Sequence, residues 1–353
     1  MSLDFEFPHF LSRQDLDALL ARGWFRMREN VFTTHYYLRD CRLLSTVWLR
    51  SPLDGYRFSK SQRKHLRHLH QRYDIAFMDC VLTEEHEALY EHYLRVAEGE
   101  RSRSLRGVLG EDTGDIFCSK MLEVRDPSQN NRLIAMSIFD EGFCALQSIV
   151  GIYHPEYGHE SLGVYTMLLE VEHAIQTGFS YYYIGYFTPG FATFDYKLRL
   201  QNLEYFNPDD DLWRPLTEFD TKTLWSSQHI TRLTEMKVVL NAMGIQTTLR
   251  LNVHYDTIIL HALGDVYVDE PLILDMRLDP NQRIGHLCYF AIHQHRYKLV
   301  LADYESRTSN REAKEPTSAE GFPEHQSLIR KTHLIAESES IADLLMAIWG
   351  EET

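Results

Sequence analysis

Hydrophobic and polar positions repeat with two different periods along this chain, and the switches between them mark out its elements. Near the start, Ser12 precedes Leu16, Leu19 and Leu20 at helical spacing and Gly23 supplies a terminator, so a short capped helix is expected. Apolar and aromatic residues then alternate loosely from Val31 to Trp48, the pattern of a small sheet. Ser59 or Ser61 caps a helix whose face carries Arg63, Lys64 and Arg67, and Thr83-Glu84-Glu85-His86-Glu87 opens another that continues through Leu89, Tyr93 and Leu94. Residues 98–114 are polar and glycine-rich, and read as a mobile connection.

The most legible stretch follows. Arg132 to Phe139 alternates as a strand, Asp140-Glu141-Gly142 supplies a turn, and Phe143 to Tyr153 returns. Ser161 opens a helix to about Thr177, Gly178 ends it, and Tyr181 to Phe187 is a further buried strand. Hairpin, helix and strand in this order describe the acyl-donor unit of a GNAT-like fold. The fold class expected is therefore mixed, α+β or α/β, around a GNAT-like acyltransferase core. Beyond Pro215 we expect a helix near Ile230 to Met243, strands around Gln246 to Ala262 and His286 to Asp303, and a closing helix from Ser327 to Trp349. Ser306 to Gly321 is rich in Ser, Thr, Glu and Pro and reads as a loop. This divides the chain into a small N-terminal α+β domain (1–75), a GNAT-like catalytic domain (76–217) and an α/β extension (218–353).

Composition narrows the class without choosing a function. With 353 residues, 44% hydrophobic and 25% charged, the chain has ordinary globular values and room for two or three domains. Its apolar runs fall short of the roughly 18 residues a membrane helix needs, and Met1-Ser2-Leu3-Asp4 is no signal sequence, so a cytoplasmic protein without a membrane partner is expected. The five cysteines are scattered and form no Cys-x-x-Cys pair, and the histidines at 65, 68, 70, 293 and 295 read as solvated side chains, so no metal is expected. A net charge of −15 excludes a protein that coats nucleic acid over its whole surface, but leaves room for one basic patch.

Three constellations carry chemistry. Arg57, Lys60, Arg63, Lys64, Arg67 and Arg72 form a run without a carboxylate, extended by Arg101, Arg103 and Arg106, and phosphates are its natural partner. Glu160-Ser161-Leu162-Gly163-Val164-Tyr165 occupies the turn where a GNAT enzyme approaches the pyrophosphate of coenzyme A with backbone amides. The glycine is kept, but a carboxylate and a bulky ring stand at the two flanking positions and argue against coenzyme A as donor. Gly163 then either lets a ligand approach or merely permits close packing. Last, Tyr181-Tyr182-Tyr183-Ile184-Gly185-Tyr186-Phe187 alternates so that Tyr182 and Tyr186 should share one face and Tyr181 and Tyr183 the other, one of them a pocket wall; an aromatic core strand is the plainer alternative.

Together these pieces resemble the aminoacyl-tRNA–protein transferases, the arginyl-transferases and the related bacterial leucyl-transferases. The resemblance rests on Tyr56-Arg57-Phe58-Ser59-Lys60-Ser61-Gln62-Arg63-Lys64, Ser161-Leu162-Gly163-Val164-Tyr165, Tyr182-Tyr183-Ile184-Gly185-Tyr186, Tyr196-Lys197 and Leu212-Trp213-Arg214-Pro215-Leu216. It covers roughly Leu16 to Leu216 and leaves the final third unexplained. What it implies is ribosome-independent amide formation: the α-amine of a protein or peptide N-terminus attacks the ester of an aminoacyl-tRNA, without a cofactor. In that reading Arg57, Lys60, Gln62, Arg63, Lys64 and Arg67 hold tRNA. Ser161, Leu162, Gly163, Tyr182, Tyr183, Gly185 and Tyr196 bind the charged end; Tyr186 and Lys197 place the carbonyl or the acidic acceptor side chain, and Glu160 and Asp195 are proton acceptors. Two departures stand out. The family's N-terminal cysteine pairs are reduced to Cys41 within Tyr36 to Leu44, so the metal or cluster they can bind is not expected, and Phe191-Ala192-Thr193-Phe194-Asp195 departs from the small or cysteine residue more usual there. An acyl-CoA-dependent GNAT enzyme and a non-catalytic homologue are the alternatives.

Overall fold

The computed structural model describes residues 3–97, 101–110, 116–255, 266–277, 282–305 and 321–349. In chain order its elements are β1 (Leu3–Glu6), α1 (Arg13–Ala21), β2 (Phe25–Met27), β3 (Asn30–Thr34), β4 (Tyr36–Arg39), β5 (Arg42–Ser45), β6 (Val47–Pro52), α2 (Lys60–His70), β7 (Asp74–Asp79), α3 (Glu84–Leu94) and α4 (Leu105–Leu109). Then come β8 (Ser119–Asp126), β9 (Arg132–Glu141), β10 (Ala145–Tyr153), α5 (Leu162–Thr177), β11 (Tyr181–Phe187), β12 (Glu204–Asn207) and β13 (Leu212–Pro215). The remainder holds α6 (Trp225–Ala242), β14 (Thr248–Asn252), β15 (Leu272–Asp275), β16 (Ile284–Ala291), β17 (Arg296–Glu305), β18 (Glu324–His325), β19 (Leu328–Ser338) and α7 (Ile341–Trp349).

These elements form two compact units: residues 6–33 with 47–219, and residues 1–5, 34–46 and 220–353. The division differs from the three segments drawn on the sequence, because β6 lies inside the same eight-stranded sheet as β7 to β11 and the hairpin β4–β5 packs with the C-terminal elements.

The larger unit is built on that sheet, ordered β13-β12-β6-β11-β10-β9-β8-β7. Its centre matches the sequence reading: hairpin β9–β10, helix α5, then β11 alongside β10 in parallel. Local chemistry explains why. Ser12 and Asp15 form a reciprocal cap on α1, Ser59 and Gln62 do the same on α2, and Gly178 at φ 87° ends α5. One apolar cluster joins Leu89, Tyr90, Leu105, Met121, Met136 and Ile152; another joins Leu16, Leu20, Phe25, Trp48, Tyr183 and Phe206.

The smaller unit has a six-stranded sheet, β18-β14-β15-β16-β17-β19, with α6 packed on β14 to β16. The hairpin β4–β5 is tied in by polar bonds: Tyr36 Oη lies 3.1 Å from His229 Nδ1, and Ser45 Oγ donates to Ser226 Oγ at 2.9 Å. Leu43 and Leu44 are buried core residues there. The helix expected across Ser327 to Trp349 is instead strand β19 followed by α7, since Ile329 is buried beside Tyr304, its partner on β17, and Arg330 pairs with Asp303 across the same ladder. The connection at 98–114 contains α4, with 98–100 and 111–114 outside the described residues, as are 306–320 of the expected loop.

Candidate active site

The site begins where two parallel strands part. β10 and β11 are paired only from Ala145–Tyr181 to Gln147–Tyr183. Past that point β10 continues along β9 and β11 continues along β6, each with a register shift at the parting, between Ser148 and Val150 and between Tyr183 and Gly185. A bulge bends a strand and re-aims its side chains, so both walls of the opening are turned at one level. Gly185 has φ +82°, a conformation costly for any residue with a Cβ.

The bulge overturns the expected alternation of tyrosines. Tyr182 is fully buried toward α5, its hydroxyl donating to Glu170 Oε2 at 2.7 Å. Tyr183 is buried on the other face, where Arg50 donates to its hydroxyl at 3.2 Å. Tyr186 shares that second face rather than Tyr182's: it packs edge-on to Trp48, ring centroids 5.0 Å apart, in the cluster that holds Tyr183. Tyr182 and Tyr183 thus fill the core instead of lining a slot.

Lys197 enters this opening from the turn of 3-10 helix Ala192–Arg199. Its Nζ donates to Tyr186 O at 2.6 Å and lies over the rings of Tyr186 and Phe194 at 5.3 and 5.2 Å. A Cβ on Gly185 would stand 3.2 Å from that nitrogen, so the glycine makes room for it. Burial alone pushes the Lys197 ammonium down to about 7, which makes the neutral amine available near physiological pH. On the same turn Asp195 is exposed, and Tyr196 is 40% exposed although burial of its phenol end, near Tyr93 and Glu170, raises its pKa.

Glu170 lies beside Tyr182, outside the three constellations of the sequence. It is a buried carboxyl on α5, raised to about 7 by burial against the opposing hydrogen bond from Tyr182. Its signal in the sequence was a single carboxylate inside the apolar run Met167 to Val171.

The start of α5 forms the next wall. Ser161 is exposed at φ 53°, Leu162 is buried, and a Cβ on Gly163 would make only an ordinary 3.5 Å contact with Tyr153. Packing therefore does not demand a glycine at 163. Tyr165 points inward, fully buried against His65 and His70, and Glu160 is ion-paired with Arg72. Neither residue obstructs the helix start, so the sequence argument they supplied against coenzyme A has no geometric basis. Glu160, engaged by Arg72, is likewise no free proton acceptor.

Helix α2 lies alongside. Gln62 is buried, not presented to a ligand: its side chain accepts from Ser59 N at 2.7 Å and donates to Arg199 O at 2.8 Å, two residues past Lys197. Tyr56 Oη accepts from Gln201 N at 3.3 Å, and His70 faces Glu172 of α5 at 3.5 Å. The basic segment is thus fastened both to the Lys197 turn and to α5, while Arg57, Lys60, Arg63, Lys64 and Arg67 remain exposed.

The opening is thus a splayed pair of parallel strands connected by α5, with the Lys197 amine in the gap. Residues 85–207 match the family model described as arginine-tRNA-protein transferase, C terminus. The chain is 27% identical over 202 residues to an aspartate/glutamate leucyltransferase of Leptospira interrogans, covering 55% of this chain and 74% of that protein. Proteins of the same name from Xanthomonas campestris (29% identity, 48% and 69% covered) and Helicobacter hepaticus (24%, 56% and 80%) are also similar. Among solved structures, FemX overlaps at a TM-score of 0.32 with 10% identity, covering 51% of this chain and 61% of that one. Over these residues the chain is similar to the aminoacyl-tRNA–protein transferases.

Proposed function

We propose that this protein moves leucine or arginine from aminoacyl-tRNA to the α-amine of a protein or peptide whose N-terminal residue is acidic, acting in the cytoplasm. The observation that carries the mechanism is the Lys197 amine held against Gly185 where β10 and β11 part. The ester is already activated, so the enzyme must place the amine and remove its proton. The α-nitrogen attacks the ester carbonyl, the C–N bond forms, and the ribose oxygen leaves with a proton. Neutral Lys197 takes the proton lost by the attacking nitrogen and passes it to the departing ribose oxygen, a role its value of about 7 suits. Tyr186 supplies the carbonyl that orients the lysine. The amides at Leu162 and Gly163 begin a helix, where first-turn N–H groups lack helical partners and attract phosphate. Arg57, Lys60, Arg63, Lys64 and Arg67 neutralise the RNA backbone, and Asp195, exposed on the Lys197 turn, is a carboxylate available to attract the incoming ammonium.

The test is transfer of radiolabelled leucine and arginine from charged tRNA to peptides beginning with Asp or Glu, with acetyl-CoA as a parallel donor. Label in the peptide from either tRNA supports the proposal. No transfer from any aminoacyl-tRNA, or transfer from acetyl-CoA alone, would overturn it.

A further inference from the structure

The smaller unit contains a polar concavity of about 470 Å³ between the end of α6 and strands β14 and β15, where Arg250, Asp275 and Arg277 meet Gln246, Thr247 and Thr248. Arg277 and Asp275 form a closed pair: Nε donates to Oδ1 at 3.0 Å and Nη2 to Oδ2 at 2.9 Å. Arg277 also donates to Gln282 O at 2.8 Å and lies over the Tyr304 ring at 3.5 Å. This pair is built in, since a Cβ on Gly285 would stand 2.2 Å from Arg277 Cγ.

Arg250 is the surplus cation. Its side chain is only 21% exposed, and its Nε stands 3.5 Å from an Asp275 oxygen already held by Arg277. That Nε is buried without a hydrogen-bond partner among the described residues. His325 adds no further positive charge: burial, then Arg277, pushes it down to about 4, so it is neutral. Among the described residues, one carboxylate faces two guanidiniums and leaves a net positive charge, which is unfavourable until an anion joins it.

We propose that this pocket binds the phosphate monoester of a small hydroxyl-rich molecule, a sugar phosphate in chemical class, through Arg250. A side chain only 21% exposed is reached more readily by a terminal phosphate than by a diester carrying chain on both sides. Gln246 and Thr248 offer an amide and a hydroxyl to sugar oxygens, and among the described residues no aromatic ring lines the pocket to stack a nucleobase. The carbonyls ending α6, which would repel an anion, are covered: Met243 N donates to Val239 O and Leu240 O, and Ile245 N to Leu240 O.

Calorimetric titration of the full chain with ribose 5-phosphate, ribose, inorganic phosphate, AMP and a single-stranded RNA oligonucleotide tests this. Ribose 5-phosphate should bind at least about tenfold more tightly than ribose, and AMP no more tightly than ribose 5-phosphate, because the charge-assisted bond supplies the affinity. Arg250→Gln should weaken ribose 5-phosphate about tenfold. Thr248→Val, on the same wall, should weaken it about threefold and covers the case in which Arg250→Gln fails to fold. Equal binding by the variants, equal binding of ribose, no phosphate binding at millimolar concentration, or displacement by the RNA would each overturn the proposal.

Discussion

The two halves of β11 carry the same residue type to opposite ends. Tyr181 to Tyr183 are paired with β10 on one side and β6 on the other, and the two inner tyrosines are buried, their hydroxyls tied to Glu170 and Arg50. From Gly185 onward β10 has left, and the strand presents a carbonyl and a ring to Lys197. The closed half therefore holds the sheet together, and the open half is where we propose the chemistry takes place. Neighbouring strands, not tyrosine itself, decide which role each residue takes.

The strongest way to break this comparison is to remove the amine from the open half. Lys197→Ala should lower kcat by about 100-fold or more, the usual contribution of a positioned base, with little change in urea midpoint. The sign of the pH effect follows from burial. Lys197 acts when neutral, so wild-type kcat should rise through the acceptor α-amine's titration at ~7.7 and, before it, through an inflection at about 7 set by Lys197. In the variant that inflection should vanish, leaving only the titration of the acceptor α-amine near ~7.7. An unchanged profile would remove Lys197 from the reaction.

Next in size is Gly185→Val. A β-branched residue at φ +82° costs at least about 1–2 kcal/mol in backbone strain, and its Cβ would displace the lysine nitrogen 3.2 Å away. We expect roughly tenfold to 100-fold loss of kcat, with thermal unfolding several degrees lower. Gly163→Ala, by contrast, meets only Tyr153 at 3.5 Å and should leave stability within about 0.5 kcal/mol.

The closed half is tested by Glu170→Gln. The carboxyl is raised from 4.5 to about 7, so the folded state keeps a proton that the unfolded chain releases. Its contribution is fully present below about 4.5, is lost as pH rises toward about 7, and is flat beyond. The loss is on the order of 3 kcal/mol. Urea midpoints followed across that window should fall in the wild type and stay level in the variant, which would then be the more stable protein at alkaline pH. A sloping variant would mean that another group carries the effect.

How much of this was legible follows from the range of the interactions. Caps, glycine terminators and alternation are local, so α1, α2, the β9–β10 hairpin, α5 and β11 could be read nearly to the residue. The bulge at Gly185 depends on where β10 and β6 lie, and period-2 reasoning therefore assigned Tyr186 to the wrong face. Long-range partners were invisible for the same reason: Arg72 neutralises Glu160, 88 positions away, and the backbone of Arg199 recruits Gln62. The apolar residues of β19 suit either period, and only the ladder offered by β17 decides between them. Lys197 was singled out by resemblance, but its depressed pKa comes from packing that no spacing reveals.

The smallest effect expected separates the two halves by charge. Lys64 and Arg67 are exposed on α2, which is fastened to the Lys197 turn through Gln62, so reversing them should act on RNA and not on the fold. The double variant Lys64→Glu, Arg67→Glu should raise KM for aminoacyl-tRNA about tenfold while kcat changes less than about twofold, and it should flatten the dependence of binding on salt by roughly one unit of slope for each phosphate left without its cation. Glu170→Gln should leave that slope untouched, because the closed half is sealed from the ligand by its own hydroxyl pairs. If instead the double variant keeps the wild-type salt slope, the exposed face of α2 is only a solvated surface, and the open half must take its RNA from another side.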